Sequence, residues 1–221
     1  MTTENNPPTS NFQLPTSNLQ SPISKLGVLG GTFDPPHNGH LAIAIEALSQ
    51  LDLSQVLFAP TRYPPHKNLD GITPIEHRLE MVRLAIADHP HFALSRIDVD
   101  REGPTYTVDT MRLLREQFGN QAELYFIMGA DSLANILTWH APERLIQLCR
   151  LAVFHRPGFI ANVNELEQRL PGLRARVVFL ASPALDISAR DLQRRLRADL
   201  PITLLVPPAV EAYIAQHKLY R

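Results

Sequence analysis

The sequence has one cysteine, Cys149, so no internal disulfide can form. That residue stands in an apolar run with Leu145, Ile146, Leu148 and Leu151, where a thiol reads as a small buried hydrophobe. A reducing compartment is therefore permitted, and a cytoplasmic location is the expectation. No stretch reaches the roughly 20 apolar residues that span a bilayer, so no membrane partner is expected. The first residues lack a basic stretch followed by an apolar core, which argues against a secretory signal. Nor is there a basic excess. Lys and Arg number 21 against 22 Asp and Glu, a formal charge of -1, which argues against nucleic acid as a partner. Two common nucleotide-binding patterns are also missing, Gly-x-Gly-x-x-Gly and Gly-x-x-x-x-Gly-Lys-Ser/Thr.

What remains is the composition of an ordinary soluble domain, 44% hydrophobic and 19% charged over 221 residues. Residues 1–24 stand apart. They are rich in Pro, Thr, Ser, Asn and Gln and contain the repeat Pro8-Thr9-Ser10-Asn11 and Pro15-Thr16-Ser17-Asn18. So little apolar surface does not offset ordering entropy, and a disordered tail is expected there. Residues 25–221 are expected to form one domain with a small C-terminal helical part.

From Lys25 onward, short apolar runs alternate with amphipathic ones. Strands are expected at 26–30, 56–59, 92–97, 124–128, 151–155 and 177–180, with a short one at 202–206. Most lack strict alternation, as in strands buried on both faces. Helices are expected at 41–51, 107–118, 142–149, 162–170, 188–197 and 208–216. A further helix has Thr73 as N-cap, Pro74 at its first position and Glu76 completing a capping box. The order predicts an α/β fold of Rossmann-like type, a parallel sheet with helices on both faces.

In such a sheet, ligands bind beyond the carboxyl ends of the strands. The residues after each expected strand are accordingly informative. They include Gly31-Thr32-Phe33-Asp34-Pro35-Pro36-His37-Asn38-Gly39-His40, Tyr63-Pro64-Pro65-His66-Lys67 and Gly103-Pro104-Thr105-Tyr106-Thr107. Gly129-Ala130-Asp131-Ser132, His155-Arg156-Pro157-Gly158 and Ser188-Ala189-Arg190 follow later strands. Glycines, histidines and cations thus recur on one edge. Gly30 and Gly31 permit close backbone approach to a ligand. His37 and His40 open a helix, where free N–H groups and the dipole favour phosphate. Metal ligation and helix capping are the competing readings of the two histidines, but no third and fourth ligand stand nearby. Asp34, followed by two prolines, reads as a turn former more simply than as a base.

The segment Gly-Thr-Phe-Asp-Pro-x-His-x-Gly-His resembles the signature of the nucleotidyltransferase superfamily. Pro64-Pro65-His66-Lys67, Tyr106-Thr107-Val108-Asp109-Thr110, Gly129-Ala130-Asp131-Ser132 with Trp139, and the closing Val210 to Ile214 and Leu219-Tyr220 narrow the likeness. Together they resemble the bacterial nicotinate-nucleotide adenylyltransferases over residues 25–221. The resemblance implies transfer of AMP from ATP, with Mg2+, to nicotinate mononucleotide, yielding deamido-NAD and pyrophosphate. The resemblance implies no covalent enzyme intermediate, and because an existing phosphate needs no deprotonation the protein chiefly positions both partners and offsets charge.

By matching position, His37, His40 and Lys67 are implied as the catalytic groups. Gly30, Gly31, Thr32, Phe33, Gly129, Asp131, Ser188 and Arg190 are implied around ATP. Lys67, Tyr106, Thr107 and Trp139 are implied around the nicotinate nucleotide, with backbone N–H groups beside Tyr106 and Thr107 donating to its carboxylate. No resident metal site is implied. The phosphate motif near the C-terminus departs from the family pattern Ile-Ser-Ser-Thr-x-Ile-Arg. Here it reads Ile187-Ser188-Ala189-Arg190-Asp191-Leu192-Gln193-Arg194, with Gln193 at the usual arginine. A nicotinamide-mononucleotide preference and a silent nucleotide sensor on the same fold stay open at this level, as does an oligomer.

Overall fold

Runs of Leu, Val, Ile and Phe become central strands when helices cover both of their faces. The computed structural model describes residues 24–63, 71–155, 161–183 and 187–221. Residues 1–23, expected as a tail, and His66, Lys67 and 156–158 lie outside the described residues.

Six strands form the sheet: β1 (Lys25–Gly31), β2 (Gln55–Pro60), β3 (Phe92–Leu94), β4 (Glu123–Gly129), β5 (Arg150–Phe154) and β6 (Val177–Leu180). Their spatial order is β3-β2-β1-β4-β5-β6, with every pair parallel. The helices are α1 (Asn38–Gln50), α2 (Ile75–Ala85), α3 (Thr107–Phe118), α4 (Ala130–Ala134), α5 (Pro142–Leu148), α6 (Val163–Arg169), α7 (Ala189–Arg197) and α8 (Pro208–His217). This is the α/β architecture expected from the sequence. The strand order reverses between β1 and β4, the position at which such sheets open a ligand crevice.

Successive residues of each strand serve opposite cores. Leu26, Val28, Leu124, Phe126, Leu151 and Val153 pack with Met111, Leu114 and Leu145 of α3 and α5. Val56, Phe58, Tyr125, Ile127 and Ala152 pack with Ala44, Met81, Val82, Val210 and Ile214 of α1, α2 and α8. With both faces dry there is no polar side to alternate with. Cys149 is buried within the first core, and that burial pushes its thiol up to about 12, so it is an unreactive packing group. Among the described residues no helix is long and apolar enough to cross a membrane.

Three boundary expectations are corrected. α2 starts at Ile75 with Pro74, not Thr73, as its cap, and the cap position makes no side-chain bond. Thr73 is committed elsewhere: its N–H donates to Asp34 and its carbonyl accepts from Arg78. Residues 202–206 form a turn rather than a strand. In that turn Leu205 and Leu204 give their carbonyls to the backbone and side-chain nitrogens of Asn38, at 2.9 and 2.8 Å. β3 ends at Leu94, before the chain turns toward the site. Leu26 lies at the centre of the sheet with no exposure. Leu26→Ala is expected to lower stability by about 2–5 kcal/mol, checked by urea unfolding.

Candidate active site

A cleft of about 450 Å³ opens where β1 and β4 end. Leu29 to Thr32 form one side and Phe126 to Gly129 the other, with Thr61 and Ile43 beside them. Thr105-Tyr106-Thr107, at the start of α3, and Trp139-His140 complete the wall. The structure thus brings Gly30, Gly31, Thr32, Tyr106, Thr107, Gly129 and Trp139 to one cavity. Its size suits a nucleotide-sized ligand.

The segment leaving β1 is shaped by several grips. Phe33 adopts a left-handed φ of 50°, unusual for a residue with a side chain. Its ring is buried, packs on Phe58 and meets the His40 ring edge-on at 4.9 Å. Asp34 is only 5% exposed. Its two carboxylate oxygens accept from the Tyr220 hydroxyl at 2.6 Å and the Thr73 N–H at 3.1 Å. With both oxygens committed, it shapes a turn and is no base.

His37 is the N-cap of α1, and His40 stands in its first turn. The rings stack with centroids 3.7 Å apart. The His37 N–H donates to Nδ1 of His40 at 3.2 Å, which assigns the His40 proton to Nε2. Burial lowers the His37 ring to about 4. Burial, and then the charge of His37, hold His40 well below the usual imidazole range. Both rings are therefore neutral at pH 7. The His37 side chain faces the N3 backbone of α1 as half of a capping box with His40, and its buried Nδ1 makes no well-formed hydrogen bond among the described residues. A Cβ at position 39 would sit 3.0 Å from that nitrogen, so glycine leaves the His37 ring its place.

Around the second half of the cleft, the segment before α3 is tied down by Asp98. This buried carboxylate accepts from the Thr110 hydroxyl at 2.8 Å and Arg101 Nε at 3.1 Å. Burial pushes its carboxyl above the ordinary range, against the pull of Thr110 and Arg101. The Tyr106 ring stacks on His140 at 4.3 Å, and Trp139 meets Phe126 edge-on at 5.9 Å. Asp131 lies in the first turn of α4, and a Cβ on Gly129 would collide with its Oδ1. Ser188 caps α7 by accepting the Asp191 N–H at 3.2 Å. Of the expected site residues, Phe33, His37, His40, Asp131, Ser188 and Arg190 are not part of the cleft wall. Ile187 nevertheless comes close to Gly39, so α7 begins beside the histidines.

Comparison with known proteins follows the same lines. Residues 28–195 match the cytidylyltransferase-like family. The chain is 48% identical over 199 residues to a probable nicotinate-nucleotide adenylyltransferase of Thermomicrobium roseum, covering 90% of this chain and 92% of the relative. A relative of the same description from Herpetosiphon aurantiacus is 46% identical, with 90% and 99% covered. The chain belongs to the nicotinate-nucleotide adenylyltransferase family. A solved structure of Plasmodium falciparum nicotinic acid mononucleotide adenylyltransferase complexed with NaAD shares the fold, with a TM-score of 0.71, 21% identity, and 89% and 97% of the two chains covered.

Within this nicotinate-nucleotide adenylyltransferase fold, the departure at Gln193 acquires a physical account. Its Nε2 donates to the Asp34 carbonyl at 2.7 Å, so the shorter amide grips the β1 segment. Arg194 pairs with Asp191 one turn earlier, while Arg190 is exposed with no partner among the described residues. Four residues escape the sequence reading: Arg78, Asp98, His140 and Tyr220 in its role toward Asp34. Arg78 had a usable signal, since it falls at helical spacing with Met81, Val82 and Ala85 on the buried face of α2.

The depressed histidines fix a sign for pH. Between about 4 and 6.5 the unfolded chain binds protons that native His37 rejects, so stability is full above 6.5 and falls toward 4. The urea midpoint is expected to drop over that window, and to drop less in His37→Gln.

Proposed function

We propose that this chain transfers AMP from ATP to nicotinate mononucleotide, giving deamido-NAD and pyrophosphate. Family membership supports the reaction. The observation that carries the reading is a single cleft joining the glycine turn after β1 to the walls built by Tyr106, Thr107, Trp139 and His140. A triphosphate and a pyridine ring are the two chemistries these halves suit.

In this reading residues 25–221 act as one nucleotidyltransferase domain. A 5′-phosphate oxygen of the mononucleotide forms a bond to the α-phosphorus of ATP. The bridge between the α and β phosphates breaks on the opposite side, and pyrophosphate leaves. No proton need move, so positioning and charge stabilisation supply the catalysis. His40, with its proton on Nε2, donates to the transferring phosphate, and His37 offers a second ring beside it. The turn of Gly30, Gly31, Thr32 and Phe33 lets ATP approach the backbone, while Gly129 and Asp131 face its nucleoside. Arg190 and the start of α7 at Ser188 meet the outer phosphates in place of the family arginine. Lys67 bears on phosphate. Trp139 faces the pyridine, and the Thr107 N–H, with no earlier carbonyl of its helix to reach, donates to the nicotinate carboxylate.

Mg2+ enters with ATP as part of the substrate. No group of three His, Cys, Asp or Glu among the described residues is placed to cage an ion. Mg2+ commonly meets nucleotides through phosphate oxygens and water.

Pyrophosphate release should require nicotinate mononucleotide together with ATP, and the nicotinamide form at equal concentration should be the poorer acceptor. No release with either mononucleotide would sink the reading. His40→Ala is expected to lower kcat about 100- to 1000-fold with an unchanged circular dichroism spectrum, the scale of losing one transition-state donor. Trp139→Ala should raise KM for the mononucleotide about tenfold and leave KM for ATP nearly unchanged. An equal rise in both would remove Trp139 from the pyridine.

A further inference from the structure

Tyr220 lies beyond α8, 186 residues along the chain from Asp34, yet its hydroxyl donates to Asp34 Oδ1 at 2.6 Å. The ring comes from a backbone with a left-handed φ of 66°. Such a conformation persists in a tyrosine only where surrounding contacts hold it. The hydroxyl is kept protonated, and so a donor, because burial and then the neighbouring Asp34 carboxylate raise it far above the usual phenol. A neutral donor on a buried carboxylate makes a short, charge-assisted bond.

The grips on this segment divide in two. On one side, Arg78 holds the Thr32 carbonyl at 2.8 Å. On the other, Tyr220 and the Thr73 N–H hold the Asp34 carboxylate, and Gln193 holds its carbonyl. Between them stands Phe33 with its own left-handed φ, its ring against His40. A residue of this kind keeps its conformation only while both flanks are fixed. Removing one hydroxyl leaves an Asp34 oxygen buried without a donor among the described residues, and the segment then relaxes toward water.

We propose that Tyr220 is a positioning residue for AMP transfer, holding Asp34 so that Phe33 keeps His40 aligned with the reacting phosphate. The inference rests on the activity proposed above for its kinetic consequence, but the geometry it asserts is measurable without turnover. A displacement of about 1 Å at a reacting group is enough to cost on the order of 100-fold in rate.

The test is Tyr220→Phe in the full chain, which deletes one oxygen. Hydrogen exchange at the His37 amide, bonded to Nδ1 of His40, should speed up at least about tenfold while amides of β1 and β4 keep their protection. In the kinetic arm kcat should fall roughly 10- to 100-fold, with KM for both substrates within about threefold, normalised to the mononucleotide-binding sites present. Unchanged exchange at His37 overturns the positioning. So does a loss explained wholly by fewer binding sites, because that is a folding defect alone. Adding Tyr220→Phe to Asp34→Asn should cost little more than Asp34→Asn by itself, whereas multiplying losses would rule out action through Asp34. Should Tyr220→Phe not accumulate folded, Gln193→Leu releases the same residue from its other side. It is expected to give the same exchange and kcat signature, and wild-type behaviour there overturns the proposal. Absence of mononucleotide-dependent pyrophosphate release by the unmodified chain defeats the activity instead, and leaves the exchange result to decide the positioning.

Discussion

A guanidinium taken out of water must find acceptors, and Arg78 finds three among the described residues. It is 2% exposed and donates to the carbonyls of Thr32, Thr61 and Thr73, each at 2.8 Å. Those carbonyls belong to the segments leaving β1 and β2 and to the approach to α2. One side chain therefore ties three separate pieces of backbone into a common frame at the mouth of the sheet. Desolvation weakens its basicity, and the nearby Asp34 carboxylate opposes that pull. An unpaired buried charge is costly, so the arrangement is stable only while all three carbonyls stay in place. The cost of disorder in any one segment is thereby shared by the others.

Electrically, the histidine pair is tuned toward neutrality rather than charge. Two stacked imidazoles 3.7 Å apart cannot both be protonated cheaply, and burial has already disfavoured the cation. A neutral ring with a fixed tautomer is a directional donor, insensitive to small changes in pH near 7. That suits phosphoryl transfer, in which charge is redistributed among oxygens and no proton must be fetched. The depressed histidines meet that demand.

Much of the fold was legible because periodicity and strand-end chemistry are local properties. The six main strands were read correctly to within a few residues, and Asn162 and Ser188 mark helix starts as expected. Errors arose where a residue answered to a distant partner. Thr73 carries every local mark of a cap, but Asp34 and Arg78 claim it. Residues 202–206 have the apolar character of a strand, yet the carbonyls of Leu204 and Leu205 are spent on Asn38. The cleft residues nearest the sheet, Gly30 to Thr32 and Gly129, were readable from their place after β1 and β4. Gln193 was legible as a departure from pattern and not as a contact, since nothing near it in sequence reveals Asp34. His140 had only its place beside Trp139 to mark it.

The turn at 202–206 has a consequence for how the molecule comes apart. Asn38 reaches Leu204 across 166 residues and Gln193 reaches Asp34 across 159, whereas the sheet pairs are set by β-α-β units closer along the chain. Proteins open in partial, cooperative steps, and segments held by few contacts open first. Peeling away α7 and the turn after it would free the start of α1 while the parallel sheet remained shut.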